Sequence, residues 1–100
     1  MTKPRKLHQL SGTIKHCFLG TVTSKSQFKN NPFYYLEINT QSLFIKNQKE
    51  IIYAFPNLVS PEIWKTLEQR TFENKTYFFW CEKRTRGWRL KNMEQISQQN

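Results

Sequence analysis

The chain has no aspartate at all. Its seven acids are glutamates, scattered, with no paired-carboxylate spacing and no nucleophile–base pattern. Three glycines are too few for a glycine-rich phosphate loop. The two histidines, His8 and His16, both lie near the start. Two cysteines, Cys17 and Cys81, cannot make a disulfide framework. Met1-Thr2-Lys3-Pro4-Arg5-Lys6 leads into no apolar stretch, so a secretory signal is not expected and the thiols should stay reduced inside a cell. His16-Cys17, with His8 and Cys81 elsewhere, lacks zinc-ligand spacing. No apolar run approaches the roughly 20 residues that span a bilayer. The helical segment carries Glu62, Lys65, Glu68 and Arg70, which does not suit an interfacial anchor. The expectation is a single domain that is not an enzyme, with no cofactor, no metal and no membrane partner.

What the chain has is positive charge and rings. Sixteen Lys and Arg against seven Glu give a net charge of +9 and a pI of about 9.8. That balance favours a polyanionic partner, although a surplus of cations also serves as a solubilising surface. Aromatic residues make up 15% of the sequence, more than the core of a small barrel accommodates. Some rings should therefore lie outside or at an interface.

The two features meet at Lys83-Arg84-Thr85-Arg86-Gly87-Trp88-Arg89-Leu90-Lys91, directly after Tyr77-Phe78-Phe79-Trp80. Cations neutralise phosphates and rings stack on bases. Like charges this close repel one another unless an anion sits among them.

Residues 1–9 read as a flexible basic arm and 97–100 as a polar tail, leaving one domain over residues 10–96. Leu10 to Ser24 reads as one long strand, with Gly12 and Gly20 marking bends or bulges. Lys25 to Pro32 is a polar turn. Phe33 to Thr40 alternates: Tyr34, Leu36 and Ile38 on one face, Phe33, Tyr35, Glu37 and Asn39 on the other. Leu43-Phe44-Ile45 could add a short strand. Glu50 to Phe55 is the third strand. Ser60 then suits a helix N-cap, Pro61 the first turn, and Ile63, Trp64 and Leu67 the buried stripe. Thr76 to Lys83 is the fourth strand, Thr85-Arg86-Gly87 a turn, and Trp88 to about Ile96 the fifth. The fold class is all-β with one short helix. Its expected form is a five-stranded OB-fold barrel, with the helix between strands three and four. An SH3-like barrel or an α+β roll also fits the order of elements.

Several segments resemble the bacterial-type single-stranded DNA-binding proteins and their shorter PriB-like relatives. Phe18-Leu19-Gly20-Thr21-Val22-Thr23, then Phe33-Tyr34-Tyr35-Leu36-Glu37-Ile38, is similar to that family's opening strand pair. Phe55-Pro56-Asn57-Leu58 is similar to its third-strand exit, with Pro56 in place of a glycine. Tyr77 to Cys81 and Arg84-Thr85-Arg86-Gly87-Trp88 resemble its fourth strand and basic exit, and Met93-Glu94-Gln95-Ile96 its close. There is little room for the long loop between strands four and five. The end is polar where the full-length family has an acidic tail, which moves the resemblance toward the PriB-like members. It implies binding of single-stranded DNA, with RNA a further option, in replication, repair or replication restart. It also implies a homodimer or homotetramer and replication proteins as partners. The wealth of Lys, Asn, Ile and Phe fits an AT-rich genome, so the cytoplasm or nucleoid of a microbe or an organelle interior is the expected place.

The candidate nucleic-acid-binding residues are Phe33, Tyr35, Tyr53 and Trp88 as stacking rings, with Lys83, Arg84, Arg86, Arg89 and Lys91 as phosphate contacts. Lys3, Arg5, Lys6, Lys15, Lys25 and Lys29 could add non-specific attraction. Each ring has a plainer reading. Phe33 and Tyr35 could form a subunit interface or, with the strand phase reversed by one residue, a core wall. Phe55 is equally a core residue, Trp88 could be core at a strand start, and Trp80 and Trp64 are expected to be buried. A protein-interaction OB domain in a larger assembly is the alternative function, with exposed rings as anchors.

Overall fold

The structure, a computed structural model, describes residues 7–21, 31–40 and 48–96. The elements follow as β1 (Leu7–Thr21), β2 (Pro32–Thr40), β3 (Gln48–Ala54), α1 (Pro61–Gln69), β4 (Thr76–Arg84) and β5 (Gly87–Gln95). The strands pair in the order β1-β2-β3-β5-β4, and β4 closes back on β1. All pairs are antiparallel except β3 with β5. A closed five-stranded barrel with its helix between β3 and β4 is the expected OB-type arrangement, and it sets aside the SH3-like barrel and the α+β roll.

Two boundaries differ from expectation by more than one residue. β1 starts at Leu7, because Leu7, His8 and Gln9 pair with Glu82, Cys81 and Trp80. Those three residues belong to the barrel and not to an arm: β4 offers them a continuous ladder of backbone partners. β3 starts at Gln48, two residues early, opposite Thr40. The rest of the arm, the tail, Leu43-Phe44-Ile45, and Lys3, Arg5, Lys6, Lys25 and Lys29 lie outside the described residues.

β1 serves two neighbours. Its first half pairs with β4 and its second half with β2, and Gly12 and Thr13 pair with both. The chain turns this corner at Gly12, where a Cβ would run into the Asn39 carbonyl oxygen. The register then slips at Lys15, between Ile14 and His16. The slip reverses the alternation of faces, since an extra residue moves every later side chain to the other side. Gly12 and Cys17 are thus both buried, and Phe18 is turned outward.

The core alternates as β2 requires: Tyr34, Leu36 and Ile38 are buried and Phe33, Tyr35 and Glu37 face out. Leu36, Ile38, Ile52, Phe79 and Leu90 are fully enclosed. Burying each such side chain contributes about 1.5–3 kcal/mol. α1 begins as its sequence dictates, with the Ser60 hydroxyl accepting from the Ile63 N–H at 3.2 Å and Pro61 in the first turn. Ile63 and Leu67 enter the core, while Trp64 is only partly buried against it, its ring 4.7 Å from that of Tyr34. At the helix end Arg70 takes a left-handed conformation and its guanidinium donates to the Cys17 carbonyl at 3.2 Å, tying α1 to β1. Trp80 corrects an expectation: it is half-buried on the outer wall beside Phe78, because its neighbours Phe79 and Cys81 take the inward positions.

Candidate nucleic-acid interface

One row of side chains crosses four strands of the outer wall. Phe18 on β1 pairs with Tyr35 on β2, Tyr35 with Tyr53 on β3, and Tyr53 with Arg89 on β5. Direct pairing places their side chains on the same face. Phe18 and Tyr35 have ring centroids 6.3 Å apart, and Tyr35 and Tyr53 5.6 Å. Phe33 joins the row from the neighbouring position of β2, 6.0 Å from Tyr53 and 5.8 Å from Phe55. His16 extends it at the other end, stacked on Phe18 at 5.9 Å with only 11° between planes. The result is a continuous chain of six rings. Phe18 is 58% exposed, and Phe33, Tyr35, Tyr53 and Phe55 are half-buried, so faces and edges remain open to a flat ligand.

The cations lie along β5 and the β4–β5 hairpin. The Arg89 guanidinium sits 5.9 Å from the centre of the Phe55 ring. Arg84 pairs with Gly87 at the hairpin base, and Thr85 and Arg86 form the turn. Gly87 has φ +130°, a conformation that favours glycine. A Cβ there would also stand 2.8 Å from the Ile51 carbonyl oxygen and 3.5 Å from the Tyr53 ring. The missing side chain therefore lets the cationic hairpin close against β3, at the edge of the ring row. Arg86 and Lys83 are exposed and Arg84 is half-buried.

Three of the sequence-derived candidates have other employment. Trp88 is buried, 9% exposed, and its indole N–H donates to Glu50 Oε2 at 2.9 Å. Lys83 Nζ covers one face at 4.6 Å, and His8 meets the ring edge-on at 5.2 Å. Trp88 thus closes the barrel wall and offers no open face for a base. This corrects the stacking role expected of it; its inward position follows from its place opposite Ile52, itself fully buried. Lys91 is the extra residue of a slip between β4 and β5, where Trp80 pairs with Asn92 and Cys81 with Leu90. Its ammonium lies 3.9 Å from Glu82.

Of the expected residues, the fold unites Phe33, Tyr35, Tyr53 and Arg89 on one wall, with Arg84 and Arg86 on the adjoining hairpin. Sequence reading missed Phe18 and His16. Alternation along β1 would have found them only with the slip at Lys15 known, and no glycine marks that slip. Phe55, left open between core and surface, joins the ring chain.

The carboxylates bordering this wall are all partnered. Glu37 holds the Lys49 ammonium and lies 3.6 Å from His16 Nε2. Glu50 accepts from Trp88 and from the Gln48 amide at 3.1 Å. The Lys49 ammonium offsets Glu37 charge that would otherwise repel a polyanion, whereas the partners of Glu50 are neutral donors. Among the described residues no three His, Cys, Asp or Glu side chains gather as metal ligands, and no helix is long and apolar enough to cross a membrane. No protein-family model matches the chain, and neither a curated protein nor a solved structure matches it.

Proposed function

We propose that this protein is a non-catalytic binder of single-stranded nucleic acid. The observation that carries the reading is the row Phe18–Tyr35–Tyr53–Arg89 across β1, β2, β3 and β5. A base stacked on a ring of this kind contributes about 1–3 kcal/mol and tolerates any sequence, because every base has a π-face. Arg84, Arg86 and Arg89 take the phosphates, and the net charge of +9 draws the strand in. Duplex bases are already stacked on one another, so the row favours single strands. DNA is preferred over RNA on the sequence resemblance alone, which also carries the proposed role in replication, repair or restart, assembly as a homodimer or homotetramer, and a place inside a cell or organelle that replicates DNA.

The test is fluorescence anisotropy of labelled poly-dT, poly-U and duplex DNA at two salt concentrations. Tighter binding of single strands, weakening log-linearly as salt rises, is expected. Absence of binding at low salt refutes the reading.

A second reading has its own observation. Phe78 and Trp80 form another outward ring pair, 5.9 Å apart, on the β4 wall. Their register partners are Ser11, Gln9, Glu94 and Asn92, none of them cationic. That wall suits a protein contact, as in an OB subunit of a larger assembly. Association through it should hardly respond to salt, which separates it from strand binding.

A further inference from the structure

Glu37 is the carboxylate set beside the ring row itself. It lies two residues along β2 from Tyr35, hence on the same face, and pairs across the sheet with His16 and Ile51. Its side chain is only 15% exposed. Oε1 meets the Lys49 ammonium and Oε2 lies 3.6 Å from His16 Nε2, so the group is held in one orientation by a partner on each side. A carboxylate so enclosed costs desolvation that these partners offset. Core packing does not require it, since the position faces outward.

Its chemistry constrains what can lie over it. A carboxylate only accepts hydrogen bonds, and its two oxygens have lone-pair sites beyond those its two partners use. A phosphate oxygen finds no donor on it, since both groups only accept. A nucleotide stacked at Tyr35 can bond Glu37 only through a donor on its base edge or sugar. Cytosine presents its N4 amino group at that edge, which a glutamate accepts. Thymine and uracil carry the O4 carbonyl at the same position, an acceptor that faces the carboxylate with nothing to donate.

We propose, resting on the single-strand reading above, that Glu37 is a specificity-determining residue that makes this face prefer cytosine over thymine or uracil. Stacking alone is blind to that difference. Glu37 adds one directional contact to a platform that otherwise accepts any base.

The experiment measures anisotropy of labelled oligo-dC and oligo-dT of equal length, against the parent protein and Glu37→Gln, at one low salt concentration. The parent should bind oligo-dC about fivefold or more tightly than oligo-dT, the lower end of a well-placed base contact. Glu37→Gln should remove that preference, because its amide donates to O4 as readily as it accepts from N4. A third probe leaves the protein untouched: an oligomer of the 2-pyrimidinone analogue of dC, which lacks the 4-amino group, should lose the advantage of oligo-dC. If Glu37→Gln fails to fold in a thermal melt, the analogue decides. Equal binding of oligo-dC and oligo-dT by the parent overturns the assignment and leaves the single-strand reading standing. So does a preference that survives both Glu37→Gln and the loss of the amino group. Binding of neither oligomer overturns both.

Discussion

Replacing Tyr35 by alanine separates stacking from charge. Tyr35 is the middle ring of the row, between Phe18 at 6.3 Å and Tyr53 at 5.6 Å. Its side chain is half-buried on the outer wall, so the substitution opens no core cavity. It removes two cross-strand ring contacts, each contributing about 0.2–1 kcal/mol to stability. A domain stable by about 5–15 kcal/mol survives that loss folded. The effect on binding is larger. One base loses its platform, about 1–3 kcal/mol, which is about 5- to 150-fold in Kd. No cation leaves, so the slope of log affinity against log salt should not move. The assay is anisotropy of labelled poly-dT at several salt concentrations, with a urea melt of the variant to certify its fold. A folded variant that binds within about twofold of the parent, well under the stacking range, refutes the ring platform. A changed slope with little loss of affinity would assign Tyr35 to the surroundings of a phosphate.

The complementary substitution, Arg84→Ala with Arg86→Ala, should weaken binding to all sequences alike and flatten the salt slope by about 1.4, since each phosphate contact to a single strand adds about 0.7; an unchanged slope places the phosphates elsewhere. Gly87→Ala should destabilise the fold by about 1–3 kcal/mol in a urea melt, because φ is +130° and the new Cβ meets the Ile51 carbonyl at 2.8 Å; a variant as stable as the parent contradicts that hairpin geometry. Burial pushes the Cys17 thiol up to about 11, against a smaller opposing pull from Arg70, and Cys81 up to about 12. The folded state then keeps protons that the unfolded chain releases above pH 9.0, so stability should fall from there through about pH 12. Cys81→Ala should lose less over that range than the parent, and parallel profiles would show that the thiol does not contribute.

The barrel was legible because its signals are local. Alternation of apolar residues from Tyr34 to Ile38 set the phase of β2, and Ser60-Pro61 set the start of α1. Phe33 and Tyr35 followed from that phase. What stayed hidden depends on pairings between distant segments. The slip at Lys15 is a property of how β1 meets β2, and it alone turns Phe18 outward. Trp88 looked like part of a basic surface because Arg86 and Arg89 flank it. Its inward position depends on lying opposite Ile52, and its indole partner Glu50 is 38 residues away. Charge density along the chain could not show that Lys91 faces Glu82, or that the carboxylates bordering the ring wall are partnered.

The ring row and the cations join across the seam that the described ladder spans most briefly. β3 and β5 share two register pairs, Ile52 with Trp88 and Tyr53 with Arg89, where β2 and β3 share seven. The first pair is core and the second lies on the outer ring wall, so a single dipeptide step carries both. The indole of Trp88 reaches along the seam to Glu50 on β3, and Lys83 lies over the same ring from β4. With His8 of β1 against the ring edge, three strands thus grip Trp88 one residue before Arg89. A side chain so held cannot stack on a base, yet it fixes where Arg89 stands relative to Tyr53. The residue withdrawn from the proposed contact surface becomes the one that sets its geometry. Loss of the Trp88–Glu50 hydrogen bond should therefore disturb the phosphate contact proposed for Arg89 before it disturbs the rings, because Phe18, Tyr35 and Tyr53 are tied together by the long antiparallel ladders of β1, β2 and β3.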